Sequence, residues 1–350
     1  MEINQRIQDF AKLGEILAAL GGQKSWPGIE VGLTEEEYDD LTNLVKSCKS
    51  HNGWFTEESV CQALNSWSEA LTVSTLSTWT ADYPDLIWSD TSVAVIMAGN
   101  IPMVGFHDML SVLISGKRLL AKTSSDDTLL MRALGNTLVK LNEVWNDRIR
   151  WADGKLTDYG AVIATGSNNS ARYFEQYFSD KPHIIRKNRN GVALLDGQET
   201  EEEMVLLGKD VFDFYGLGCR NVSKVYIPRD FDLDRIFKGL FPYSEVINHN
   251  KYANNYDYHK AIYMLNEDDI IENGFMLMKE VKDQIASPVA TLLYERYDDE
   301  QELRKELSAR ADEIQCIVSH KDLAFGQTQN PALSDYADGV DSLDFLQKLN

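Results

Sequence analysis

The sequence predicts an α/β protein of two domains, with a doubly wound parallel sheet, and three observations carry that expectation. Short apolar runs recur along the chain: Val93-Ala94-Val95-Ile96-Met97, Leu119-Leu120-Ala121 and Ala161-Val162-Ile163-Ala164. Each is short and apolar throughout, as strands buried on both faces are. Each ends at a polar or glycine-bearing turn: Gly99-Asn100, Lys122 and Thr165-Gly166-Ser167. Between them lie helical stretches, 103–115 and 128–144, with 169–178 following the third run. Strand alternating with helix means βαβ units and parallel strands.

The elements follow in order. The first ninety residues read as helices. Ile7, Phe10, Leu13, Leu17 and Leu20 share one apolar face at helical spacing. Thr34 followed by Glu37 forms a capping-box pattern that opens a second helix. Thr56 with Ser59, Val60, Leu64 and Trp67 suggests a third. After the three strand runs, Ile184-Ile185 and residues 192–195 read as further strands. A second unit begins near Glu199, with a helix over 201–215, a turn at Cys219 and a strand over 224–227. More βα-like material continues to about residue 319. Residues 249–259, rich in Asn and Tyr, read as a loop. The expected division is 1–198 for the helices and a dinucleotide-binding domain, and 199–350 for a catalytic domain.

Composition narrows the function. A 43% hydrophobic and 25% charged chain of 350 residues is that of a soluble globular protein. No apolar run is long enough to span a membrane, and the start lacks the pattern of a signal peptide. Four cysteines without a Cys-x-x-Cys pair suggest a reducing, cytoplasmic setting. The histidines are scattered, so no metal site is expected. A formal charge of −21 repels nucleic acid and anionic membranes. An anionic cofactor would need a local basic pocket, and Lys181, His183, Arg186, Lys187 and Arg189 are candidates for one.

Cys219 stands out. It lies in Phe214-Tyr215-Gly216-Leu217-Gly218-Cys219-Arg220-Asn221, where two glycines strip the backbone before the sulfur. A nucleophile needs such a turn, so that substrate reaches the sulfur and a backbone N–H faces the developing oxyanion. A free cysteine is more often a small buried hydrophobe, so its context must decide. That context is the set of polar groups at the carboxyl ends of the predicted strands, where open α/β sheets bind ligands.

In order and spacing, these features resemble the aldehyde dehydrogenase superfamily. The residues that carry the resemblance are Gly99-Asn100-Ile101-Pro102, then Ser115 to Lys122, then Thr165-Gly166-Ser167, then Gly218-Cys219. Gln284-Ile285-Ala286-Ser287-Pro288-Val289 is a further echo. Within the superfamily, the chain looks most similar to acyl-CoA reductases of the bacterial luminescence type. The resemblance implies a fold of that family and a nucleophile at Cys219. It implies an oxyanion hole formed by the Asn100 amide and the Cys219 N–H. Gly99, Lys122, Ser125, Thr165, Gly166, Ser167 and Gln284 would bind the cofactor. Lys122 would take the adenosine ribose, and Ser167 with its helix would face the pyrophosphate. Arg220 and a nearby helix end would favour the thiolate.

The departures from the family pattern shape the expected chemistry. Hydrolytic members carry a glutamate that activates water, whereas residues 184–191 here contain no carboxylate. Gln284 replaces a second family glutamate. After Lys122 come Thr123-Ser124-Ser125, where NAD-preferring relatives often carry a glutamate, so NADP(H) is expected over NAD(H). The expected reaction is reduction of an acyl-CoA to an aldehyde through a thioacyl-cysteine. The resemblance leaves room for a homodimer and for an acyl-transferring protein partner. Two rivals stay open: a hydrolytic aldehyde dehydrogenase, and a non-catalytic binding or assembly protein of the same fold.

Overall fold

The computed structural model describes residues 1–349, and the chain divides into two compact units, 1–187 with 332–350, and 188–331. The first opens with helices α1 (Ile3–Gly21), α2 (Glu35–His51), α3 (Glu57–Ala70) and α4 (Val73–Thr80). The predicted face of α1 is buried throughout. Thr34 and Glu37 close the capping box at the start of α2, and Thr56 caps α3. Then come β1 (Ser92–Ile96), α5 (Phe106–Ile114), β2 (Arg118–Lys122), α6 (Thr128–Leu141), β3 (Ile149–Trp151), β4 (Ala161–Thr165), α7 (Asn168–Tyr177) and β5 (His183–Arg186). The five strands pair in parallel in the order β3-β2-β1-β4-β5. The chain runs outward from β1 to β3, then crosses back to β4. The strand order therefore reverses between β1 and β4, the switch point at which such sheets bind ligands.

The second unit holds β6 (Asn190–Leu194), α8 (Glu201–Phe212), β7 (Val222–Pro228), α9 (Asp234–Leu240), α10 (Asn250–Leu265), β8 (Ile270–Glu272), β9 (Leu277–Glu280), β10 (Thr291–Tyr297), α11 (Glu300–Ala309) and β11 (Ile314–Val318). Its sheet runs β11-β6-β7-β10-β9-β8, parallel except where β8 meets β9.

Several expectations need correction. The units divide ahead of residue 198, because residues 190–194 pair with β7 and β11 rather than with the first sheet. Residues 332–349 return to the first unit. Its buried Arg186–Asp108 ion pair (2.5 Å) also donates to Ser342 Oγ, Trp79 Nε1 donates to the Tyr336 hydroxyl, and the Lys117 ammonium bonds the Leu349 carbonyl. Residues 249–259 are not a loop. They lie largely in α10, which buries Tyr252 and Tyr256, one turn apart. The Tyr252 hydroxyl bonds the Phe275 carbonyl at 3.0 Å. Asparagines on the remaining positions hide that two-tyrosine face from a reading of apolar period. β3 is three residues long and gave no sequence signal.

Candidate active site

In the first unit, the sheet register sets the candidate residues level with one another. Ile96 stands opposite Lys122 on one side and Ala164 on the other. The chain leaves β1 through Gly99-Asn100, ends β2 at Lys122 and leaves β4 through Gly166-Ser167. Lys122, Ser125, Asn100 and Ser167 are exposed, Thr165 and Gly166 half-buried, and Gly99 buried. Gly99 is needed for close approach: a Cβ there would lie 2.6 Å from that of Ser124 and 3.1 Å from the Asp127 nitrogen. A Cβ on Gly166 would meet Ser170 and Phe174 at 2.9 Å. Ser167 Oγ caps α7 by accepting the Ser170 N–H at 3.2 Å. A bare backbone, a helix N-terminus and an exposed lysine at the switch point are what a dinucleotide requires, so the residues present fit NAD(P).

The basic segment does not form a cofactor pocket. Arg186 is 5% exposed and paired with Asp108. Lys187 pairs with Glu175 at 2.9 Å, Lys181 donates to the Tyr159 carbonyl, and Arg189 donates to the Ala311 carbonyl. These cations hold the chain's own backbone and carboxylates.

In the second unit, α8 runs into three successive left-handed residues, Phe214 (φ 52°), Tyr215 (φ 60°) and Gly216 (φ 75°). Two of these are not glycine, which is rare without strong surrounding restraint. The restraint is Asn221. Its Oδ1 accepts the Gly218 N–H at 2.8 Å, and its Nδ2 donates to the carbonyls of Asp210 (3.0 Å) and Asp213 (2.9 Å). Asn221 is 3% exposed. A Cβ on Gly218 would sit 2.8 Å from Asn221 Oδ1, so that glycine also answers a close approach. Asp210, buried at the end of α8, accepts the N–H groups of Gly326 (2.7 Å) and Thr328 (3.0 Å). Burial nevertheless holds its carboxyl above the ordinary range. Arg220 donates to the Thr328 carbonyl at 2.7 Å. Asn221 and Asp210 thus fix the turn from behind.

The helix end nearest Cys219 in sequence is the C-terminus of α8, which presents carbonyls and negative potential. The Asn221 amide covers carbonyls of that end, at Asp210 and Asp213. Cys219 is half-buried, as is Cys316, whose Sγ donates to the Arg220 carbonyl at 3.5 Å. Cys48 and Cys61 are buried, and burial pushes both thiols up, Cys48 to about 12.

Gln284 is exposed, with its amide donating to the Ala286 carbonyl at 2.5 Å. The next residue, Ile285, is buried, and its carbonyl accepts the hydroxyl of Ser223 on β7 at 2.9 Å. Ser287, Pro288 and Val289 line a small pocket with Tyr215 and Gly216. The segment around Gln284 and the Cys219 turn therefore belong to one neighbourhood. β6 enters it too: a Cβ on Gly191 would collide with the carbonyl oxygen of Arg220, and the Gly191 N–H bonds the Asn221 carbonyl at 3.0 Å. Elsewhere in this unit, Asp196, Glu199 and His320 lie close together. Both ring nitrogens of His320 face carboxylates, Asp196 at 2.9 Å and Glu203 at 3.2 Å, which raises its pKa.

The chain has the aldehyde dehydrogenase fold. Aldehyde dehydrogenase 21 of Physcomitrella patens, solved with its reaction product succinate, superposes with a TM-score of 0.63 at 12% identity, over 87% of this chain and 71% of that one. An aldehyde dehydrogenase of Mycobacterium tuberculosis complexed with NAD+ gives 0.58 at 14%, over 87% and 70%. KauB of Pseudomonas aeruginosa gives 0.59 at 12%, over 91% and 76%. No protein-family model and no curated protein matches the sequence. Among the described residues, no helix is long and apolar enough to cross a membrane.

Proposed function

We propose that this protein is an oxidoreductase of aldehyde and acyl chemistry that reduces an acyl thioester, such as an acyl-CoA, to an aldehyde through a thioacyl group on Cys219. One observation carries the reductive direction. The Gly191 backbone packs against Arg220, so the end of the stretch 184–191 lies beside the Cys219 turn. In the stretch 184–191 hydrolytic members of the superfamily resembled here place their water-activating glutamate, and in this chain it contains no carboxylate. Without a general base, water attacks a thioester poorly.

In this reading the Cys219 thiolate attacks the thioester carbonyl carbon, the C–S bond to CoA breaks, and CoA leaves as the thiolate. A reduced nicotinamide, when bound, would supply a hydride to the acyl carbon; the C–S bond to Cys219 then breaks, releasing the aldehyde and returning the Cys219 thiolate. The chain's residues do the rest. The Cys219 N–H and the Asn100 amide stabilise the oxyanion, a donor of this kind being worth about 3–4 kcal/mol. Asn221 and Asp210 hold the sulfur's turn. Gly99, Gly166, Ser167, Lys122 and Ser125 receive the cofactor, with Gln284 toward its nicotinamide end. Ser125 in place of an acidic residue favours NADPH over NADH. The exposed Asp126 beside it works against a 2′-phosphate, so the preference is small. The acyl donor is CoA or an acyl-transferring protein.

The test is incubation with acyl-CoAs of several chain lengths, with intact-mass readout and no reduced cofactor. A long-lived acyl adduct on Cys219 is expected, discharged as aldehyde on adding NADPH or NADH and absent from Cys219→Ala. Rapid release of free acid would move the assignment to the hydrolytic dehydrogenases. No adduct with any chain length would leave a non-catalytic protein of this fold.

A further inference from the structure

Asp127 stands at the N-cap position of α6, where an aspartate ordinarily accepts an N–H of its own first turn. Here it makes no cap bond. Its Oδ2 instead accepts the N–H of Met103 at 2.7 Å, across 24 residues of sequence. Met103 is left-handed (φ 57°), an unusual state for a residue with a side chain, and it is fully buried. Its side chain enters the apolar core shared by α1, α2, α3 and α6, beside Leu17, Val45, Leu64 and Leu130. Asp127 is 3% exposed, and its Oδ1 has no hydrogen-bond partner. The same stretch touches the other end of the loop, since Gly99 abuts Ser124 and the Asp127 nitrogen. Residues 97–105 are thus held at both ends, and Asn100 lies exposed between the two holds.

We propose that Asp127 is a positioning residue: its buried carboxylate, by clasping the Met103 amide, fixes the loop that presents Asn100 at the carboxyl edge of the sheet. A cap bond given up, a strained non-glycine residue and an unpartnered buried oxygen all point to a group kept for the loop rather than for its helix. The consequence for turnover rests on the proposed function; the clasp itself does not. Burial raises the carboxyl to about 7, against the opposing effect of the Met103 N–H. The titratable groups facing it are Cys48 of α2, whose thiol its charge helps to keep neutral, and the neighbouring Asp126. Burial favours the neutral carboxyl, so ionisation makes the clasp easier to open, and it loosens as pH rises toward about 7.

Hydrogen exchange of the peptide spanning residues 97–106 tests the clasp without any turnover. Asp127→Ala should speed its exchange about tenfold or more, as loss of a bond to a charged acceptor does. Asp127→Asn keeps an acceptor oxygen and should stay within about threefold of wild type. It should also lack the loss of protection that wild type shows as pH rises toward about 7. On the reading above, Asp127→Ala lowers kcat for thioacyl reduction about 10-fold to 100-fold with little change in KM, and Asp127→Asn restores most of it. Unchanged exchange in Asp127→Ala, or equal pH dependence in wild type and Asp127→Asn, overturns the clasp. The second comparison stands even if Asp127→Ala fails to fold. If wild-type protein forms no thioacyl adduct, the functional reading falls, and exchange still decides the clasp.

Discussion

In the first unit the candidate residues stand where strands of a regular parallel sheet run out; in the second, Cys219 stands on a turn that no regular element dictates. Backbone register alone brings Lys122, the Asn100 loop and Ser167 level, because β2 and β4 both pair with β1. The Cys219 turn depends instead on a few buried side chains, above all Asn221, which bonds backbone groups of Gly218, Asp210 and Asp213. The first kind of site spreads its support over many ladder bonds. The second concentrates it, so single substitutions should separate the two.

The largest expected effect is a pH dependence in the first unit. The Asp127 carboxyl titrates near 3.8 in an unfolded chain and at about 7 in the fold. Its folded pKa is raised, so the stabilisation is complete below about 3.8 and is lost as pH rises to about 7. At one pH unit per 1.36 kcal/mol, the loss is roughly 4 kcal/mol. Urea unfolding of wild type and Asp127→Asn across that window should show the difference between them change by an amount of this order. Parallel curves would mean that Asp127 is charged throughout.

Next is Asn221→Ala. It leaves the Gly218 N–H and the carbonyls of Asp210 and Asp213 buried without this partner, and should destabilise the second unit by about 3 kcal/mol. It should also change the rate at which iodoacetamide labels Cys219, while Cys48, buried in the other unit, stays unreactive. Unchanged stability and unchanged labelling would show that the left-handed run from Phe214 to Gly216 holds the turn by itself.

What could be read from sequence follows the same divide. The strands and their polar ends were legible because burial on both faces demands apolar runs, and a strand must stop at a turn. Thr34 and Glu37, Thr56 and Ser167 were legible because capping is local. Asn221 and Asp210 were not, since their partners are backbone groups 3 to 118 residues away that no periodicity marks. The sole hint was an amide-bearing residue two positions after the cysteine. Arg186 was misread as a cofactor cation because its partner, Asp108, comes from a distant helix. The division of the chain near residue 198 was misplaced for a like reason. The apolar run 192–195 announces a strand but not the sheet it joins.

The smallest effect concerns Ser167, and it isolates local capping from cofactor recognition. Ser167 is exposed and caps α7 through the Ser170 N–H. Ser167→Ala should therefore cost about 1 kcal/mol of stability, as loss of an N-cap usually does. On the proposed reading the same helix end faces the cofactor's pyrophosphate, so cofactor affinity should also fall by a few-fold. Ser167→Asp separates the two roles. Aspartate caps as well as serine and suits the positive end of the helix dipole, so thermal stability should hold or rise slightly. Its charge would nevertheless stand where two phosphates must bind, and at close range like charges repel strongly. Titration of NADPH and NADH by fluorescence should then show binding weakened well beyond that of Ser167→Ala, with an unfolding midpoint at or above wild type. If Ser167→Asp binds both cofactors as wild type does, the N-terminus of α7 does not receive the pyrophosphate, and the cofactor must be assigned to the β1 and β2 ends alone.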